Sequence, residues 1–140
     1  MLNDALKIAL EEYGNKGIPG SNSNTEILKY YKNTGFDWVQ DDDIAWCTAF
    51  ISWCLMKAKK PYIKSLLARD YLKYGKKTQE PKLGDIAVLW RITRNSIYGH
   101  VGFFIRKDKN TVYLLGGNQN NSVTITPYPA TQVLEYRKIV

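Results

Sequence analysis

The chain has 140 residues, of which 44% are hydrophobic and 24% charged, the balance of one globular domain with a core large enough to need no disulfide or metal staple. That composition excludes a disordered chain, and no apolar stretch reaches the roughly 18 residues that a membrane span requires. The net charge of +7 is uneven: residues 1–50 hold eight acids and four bases, net −4, while residues 51–140 hold five acids and sixteen bases, net +11.

In chain order, the N-terminus carries Asp4, Glu11 and Glu12 and lacks a basic start followed by an apolar run, so an ordinary secretory signal is not expected. Leu6, Ala9, Leu10 and Tyr13 recur at helical spacing and predict a helix over 3–13, with Asn3 as its N-cap and Gly14 at its end. Residues 14–22 read as a loop. Ser23-Asn24-Thr25-Glu26 has the spacing of a capping box and opens a helix through Lys32 that Gly35 ends. Residues 36–45 form a loop with Trp38 and three consecutive acids, Asp41 to Asp43. A third helix runs over 46–58 and a fourth over 65–74, from Ser65 to Gly75. Residues 76–84 read as a charged loop. From Asp85 the periods become those of strands: DIAVLW, HVGFFI, TVYLLG, SVTIT and LEYRKI. Helices first and consecutive strands afterwards predict an α+β fold with a mostly antiparallel sheet.

Cys47 and Cys54 are seven residues apart on the third helix. Seven residues rise about 10.5 Å along a helix, too far for a disulfide. With one histidine in the chain, the pair is also a poor zinc site. Cys47 opens the helix, where the dipole favours a thiolate; Cys54 lies mid-helix between Trp53 and Leu55 and reads as buried and structural. His100 opens a strand and can take the thiol proton and return it to a leaving amine. Asn118, in Gly116-Gly117-Asn118-Gln119, ends the next strand and is the natural residue to orient the imidazole. Each has a plain alternative: a packed thiol, an ordinary histidine, a turn asparagine tolerating positive φ. Trp46 reads as core that could also meet substrate.

Trp46-Cys47-Thr48-Ala49-Phe50, Pro81-x-x-Gly84-Asp85-Ile86-Ala87-Val88 and Gly99-His100-Val101-Gly102 resemble the signature blocks of CHAP domains and the related NlpC-type peptidases. Gly116-Gly117-Asn118-Gln119, Gly20-x-Asn22-x-Asn24 and Ala68-Arg69-x-x-Leu72-x-x-Gly75 extend the likeness, to a compact bacterial and phage group, over nearly the whole chain. The resemblance implies a papain-like α+β fold, N-terminal helices on a sheet of five or six strands, and a single cysteine amidohydrolase domain over 1–140. It implies Cys47 as nucleophile, His100 as base and Asn118 as the orienting residue, with Gln119 the alternative third member. Trp46-Cys47-Thr48-Ala49 departs from the Asp-Cys-Ser-Gly usual in NlpC-type enzymes and is nearer the CHAP form.

The expected function is hydrolysis of an amide bond in peptidoglycan peptides through an acyl-enzyme, with Trp46, Gln40, Tyr98 and Gln119 offered to the substrate. The Cys47 N–H is an expected oxyanion donor. No metal or organic cofactor is needed. The competing expectations are a non-catalytic wall- or nucleic-acid-binding module, favoured by the basic surface, and a protein-modifying transferase or deamidase. The expected partner is peptidoglycan, with a cognate immunity protein if the chain is an effector. A monomer acting at the bacterial wall is expected, with no nucleic acid bound and no membrane insertion. Without a signal peptide, delivery would be by phage lysis, a phage tail or contact-dependent secretion.

Overall fold

The computed structural model describes residues 3–16, 25–38 and 46–140. Three α-helices, α1 (Asp4–Glu11), α2 (Thr25–Lys32) and α3 (Cys47–Lys57), lead into a six-stranded sheet. Its strands are β1 (Lys77–Thr78), β2 (Ile86–Trp90), β3 (Gly99–Asp108), β4 (Thr111–Gln119), β5 (Ser122–Pro129) and β6 (Val133–Arg137). Their spatial order is β1-β6-β2-β3-β4-β5, and every neighbouring pair is antiparallel. The α+β class and the sheet expected from the sequence are those the chain adopts.

Local chemistry sets most boundaries. Asn3 caps α1 as expected, its Oδ1 accepting from the Leu6 N–H at 2.8 Å. Ser23 and Asn24 of the expected capping box lie outside the described residues. The expected fourth α-helix is instead a short 3-10 segment, Ala68–Lys73. Its two buried residues, Ala68 and Tyr71, are three apart, which is the 3-10 repeat. Ser65 bonds the Asp70 carboxylate and the Leu67 N–H, fixing the turn that precedes it. β1 falls in the segment read as a loop, because two residues pairing with Arg137 and Tyr136 carry no periodicity to betray a strand.

α3 is buried continuously from Cys47 to Leu55, so it is an apolar rod at the centre of the molecule. Tyr30 of α2 wedges it in place, stacking 5.8 Å from Trp46 and meeting Phe50 and Trp53 edge-on at 5.1 Å each. Val88, Val101, Phe103 and Leu115 of the sheet complete this core. Their neighbours Ala87, Leu89, Val112 and Leu114 form a second cluster with Tyr128 and Tyr136, on the other face of the sheet as the period-two alternation requires.

Near its end β4 carries a bulge. Gly116 pairs with Thr124 and Gln119 with Ser122, so Gly117 and Asn118 together stand opposite Val123. A Cβ on Gly117 would lie 2.7 Å from the Trp46 ring and 2.8 Å from the Phe50 Cβ. Gly117→Ala should therefore push β4 off α3 and destabilise the fold by about 1–3 kcal/mol, seen as a lower urea midpoint at an unchanged m-value.

Candidate active site

α3 begins at Cys47, with Trp46 as an N-cap whose side chain makes no capping hydrogen bond. The Cys47 N–H is thus one of the donors without an intrahelical partner at the positive end of the helix. The residue is 6% exposed, more enclosed than a helix start suggests, and its sulfur lies 3.8 Å from Thr48 Oγ1. His100, fully buried near the start of β3, is the group whose charge favours the thiolate of that sulfur. Burial pushes the Cys47 thiol up, but the influence of His100, helped by Thr48 and the Val101 backbone, outweighs it and brings the thiol down to about 7. Cys54 has no imidazole beside it, and burial, with Glu12 adding to it, holds its thiol well above the usual value. Both cysteines are free.

A thiol near 7 has a pH signature. Alkylation of Cys47 by iodoacetamide should fall about fivefold from pH 7 to pH 6 and flatten above pH 8, following the thiolate fraction. Cys54 should stay unlabelled in the folded protein, and peptide mass mapping separates the two. A Cys47 rate still climbing steeply from pH 8 to pH 9 would mark an ordinary thiol.

The second nitrogen of His100 is held firmly. Nε2 lies 2.8 Å from Gln119 Oε1 and 3.1 Å from the Tyr128 hydroxyl, whose ring sits 5.2 Å from the imidazole, centroid to centroid. The Gln119 amide is locked, because its Nε2 donates to the carbonyls of Leu114 at 3.1 Å and Thr124 at 2.7 Å. Oε1 must then face the ring, so His100 Nε2 carries the proton and Nδ1 is the nitrogen left for the sulfur. Gly116 makes room for this arrangement: a Cβ there would lie 2.6 Å from Gln119 Oε1.

The expected site residues fall in different places. Asn118 makes no hydrogen bond to His100; it occupies the bulge with φ +57° and lines the cleft, while Gln119 holds the ring. The extra residue of the bulge shifts the alternation by one position, which is why the neighbour takes the expected place. Trp46 is fully buried against Tyr30, with Nε1 3.4 Å from Asn121 Oδ1, so it is core and presents no face to substrate. Gln119, 2% exposed, is likewise unavailable to substrate and serves the imidazole instead. Gln40 lies outside the described residues. Tyr98 is 54% exposed and lines a cavity of about 280 Å³ with Cys47, Arg91, Ile92, Gly99 and Asn118.

The sequence reading missed Tyr128 and Arg91. Tyr128 lies in Pro127-Tyr128-Pro129 with no spacing relation to His100 and gave no signal. Arg91 follows the β2–β3 hairpin register, which pairs Leu89 with His100 and so puts Arg91, two residues on, on the same face as the imidazole, a register no sequence signal announces. Among the described residues no group of three His, Cys, Asp or Glu side chains converges to hold a metal ion, and no helix is long and apolar enough to cross a membrane.

Together, the buried helix with a cysteine at its start and the antiparallel sheet carrying the imidazole define a papain-like α+β domain. The CHAP domain family model matches residues 39–118, more than half of the sequence, and the chain belongs to the CHAP domain family. The match stops one residue short of Gln119. Among solved structures, the chain is similar to a Staphylococcus aureus protein described as similar to a lipoprotein of the NLP/P60 family, with a TM-score of 0.52 and 18% identity. That likeness covers 99% of this chain and 41% of the other, so the chain spans less than half the length of that protein. No curated protein matches the chain.

Proposed function

We propose that this CHAP domain hydrolyses an amide bond in the peptides of peptidoglycan, with Cys47 as nucleophile, His100 as base and acid, and Gln119 as the residue that orients the imidazole. The observation that carries the reading is a cysteine at the start of the buried helix, on the wall of an open cleft, with the imidazole of His100 held by Gln119 in the same site. Family membership and the NLP/P60 likeness support the substrate class.

The geometry supports a two-step reaction. The Cys47 proton passes to His100 Nδ1 and the thiolate adds to the substrate carbonyl carbon. The oxygen takes up the electron pair and faces the Cys47 N–H at the helix start. As the tetrahedral species collapses, the C–N bond breaks and Nδ1 returns its proton to the leaving amine. Water then gives a proton to Nδ1 and its hydroxide to the thioester carbonyl; the C–S bond breaks, the carboxylic acid leaves, and Nδ1 returns its proton to the sulfur. Gln119 holds the ring through both steps, and Tyr98 with Ile92 forms the exposed wall along which the peptide lies.

Substrate capture by the basic surface follows from the same reading. Lys57, Lys59, Lys64, Lys73, Lys76, Lys77, Arg106, Lys107 and Lys109 are all exposed. Such a surface holds anionic wall polymer through many weak contacts, screened over about 8 Å at physiological salt. Purified sacculi digested by the protein should release peptides with new amine termini, identified by mass, and both binding and release should fall together as salt rises. Cleavage of a short soluble muropeptide should be far less sensitive to salt. Intact sacculi after prolonged incubation would refute the function; equal salt dependence on both substrates would confine the important charge to the cleft.

A further inference from the structure

Arg91 stands where the proposed reaction leaves it no resting place. Its guanidinium Nη2 lies 3.4 Å from His100 Nδ1, the nitrogen that must accept the Cys47 proton. Gln119 fixes the opposite nitrogen as the donor, so Nδ1 has a lone pair and the guanidinium donates into it. One lone pair cannot serve both the guanidinium and the sulfur. Once Nδ1 is protonated it has nothing left to accept with, and two cations stand in contact. Catalysis therefore requires the Arg91 head to turn away.

The site offers it one direction. Arg91 is exposed, lines the cavity onto which Cys47 opens, and makes no other side-chain hydrogen bond or ion pair among the described residues. Its backbone stays put. Arg69 donates to the carbonyls of Tyr98 at 2.7 Å, Arg94 at 2.9 Å and Thr93 at 3.1 Å, which pins the loop after β2 from behind. Only the Arg91 side chain is left to swing, and its remaining donors form a fork suited to a carboxylate. The groups facing His100 are Cys47 from α3, Gln119 from β4, Tyr128 from β5 and Arg91, and of these Arg91 alone carries a permanent charge.

We infer that Arg91 is a specificity-determining and positioning residue: it binds a carboxylate of the substrate next to the scissile amide, and by turning to it frees His100 Nδ1 for the sulfur's proton. The inference rests on the hydrolase reading and narrows its substrate to peptides with a free carboxylate at that place. Peptides in which that group is a carboxamide would leave Arg91 on the imidazole and be cut slowly.

Iodoacetate and iodoacetamide test this without knowledge of the bond cleaved. Both alkylate sulfur with loss of iodide, and they differ in presenting a carboxylate or a carboxamide to the cleft. The ratio of their rates at Cys47, located by peptide mass mapping, should fall about tenfold in Arg91→Met, the worth of one charge-assisted hydrogen bond. Arg91→Lys should keep part of the preference, and the fall in Arg91→Met should come from the iodoacetate rate. An unchanged ratio, or rates for both reagents that drop in step, would give Arg91 a merely structural role and overturn the inference. Sacculus digestion by the unaltered protein, run beside it, keeps the outcomes apart: digestion with an unchanged ratio sinks Arg91 alone, and an altered ratio without digestion leaves Arg91 a carboxylate-binding group but sinks the hydrolase reading and the substrate role built on it.

Discussion

Cys47→Ala should abolish sacculus hydrolysis, a loss of at least about 10⁴-fold in kcat, while the protein still folds. Alanine keeps the α3 backbone and its free N–H, so any residual activity reports the oxyanion site alone. The sulfur is enclosed, with Thr48 Oγ1 at 3.8 Å, and losing so small a buried group costs about 1 kcal/mol. Cys54→Ala is the matched control. It removes a fully buried sulfur from the middle of α3, so it should lower stability by about 1–2 kcal/mol and leave kcat within twofold or so of the parent. Denaturant midpoints and initial rates on one soluble muropeptide separate the two effects. Full activity in Cys47→Ala would remove the nucleophile assigned above.

The second large effect belongs to Gln119. Gln119→Ala should lower kcat by about 10²-fold, because the imidazole loses the partner that fixes its tautomer. It also leaves the Leu114 and Thr124 carbonyls without the amide that bonds them, which costs about 1–3 kcal/mol of stability. A purely structural role would change stability and spare the pH profile. An orienting role should also move the midpoint of Cys47 alkylation upward, since a wandering ring stabilises the thiolate less. Asn118→Ala should leave that midpoint in place and change kcat only a few fold. If Asn118→Ala were the more damaging change, the assignment of the orienting residue would reverse.

The difference between these two neighbours marks how far the sequence could be read. The helix-then-strand layout, the start of α3 at Cys47 and the opening of β3 near His100 were legible, because apolar period and caps are local signals. The facing of a side chain at the end of β4 was not. It depends on a bulge created by the fit of Gly117 against Trp46 and Phe50, a tertiary contact that no spacing announces. Trp46 reads from the sequence as core that could also meet substrate; it is core, stacked under Tyr30 from α2, and the cover that Tyr30 gives it carries no sequence signal. The 3-10 segment replaced a predicted helix because only two of its residues found a core to bury in. Tyr128 and Arg91 reach the imidazole through strand register and hairpin geometry, which the chain's order alone leaves open.

The chemistry of the site can be caught in the act. Sacculi or a soluble muropeptide mixed with the protein, quenched in acid within one turnover and digested for peptide mass mapping, should show the Cys47 peptide carrying the acyl half of the cleaved substrate as a thioester. Hydroxylamine should remove that mass, Gln119→Ala should let it build up if deacylation becomes limiting, and Cys47→Ala should never show it. Hydrolysis proceeding with no adduct at Cys47, or with an adduct on Cys54 or any other residue, would contradict the account.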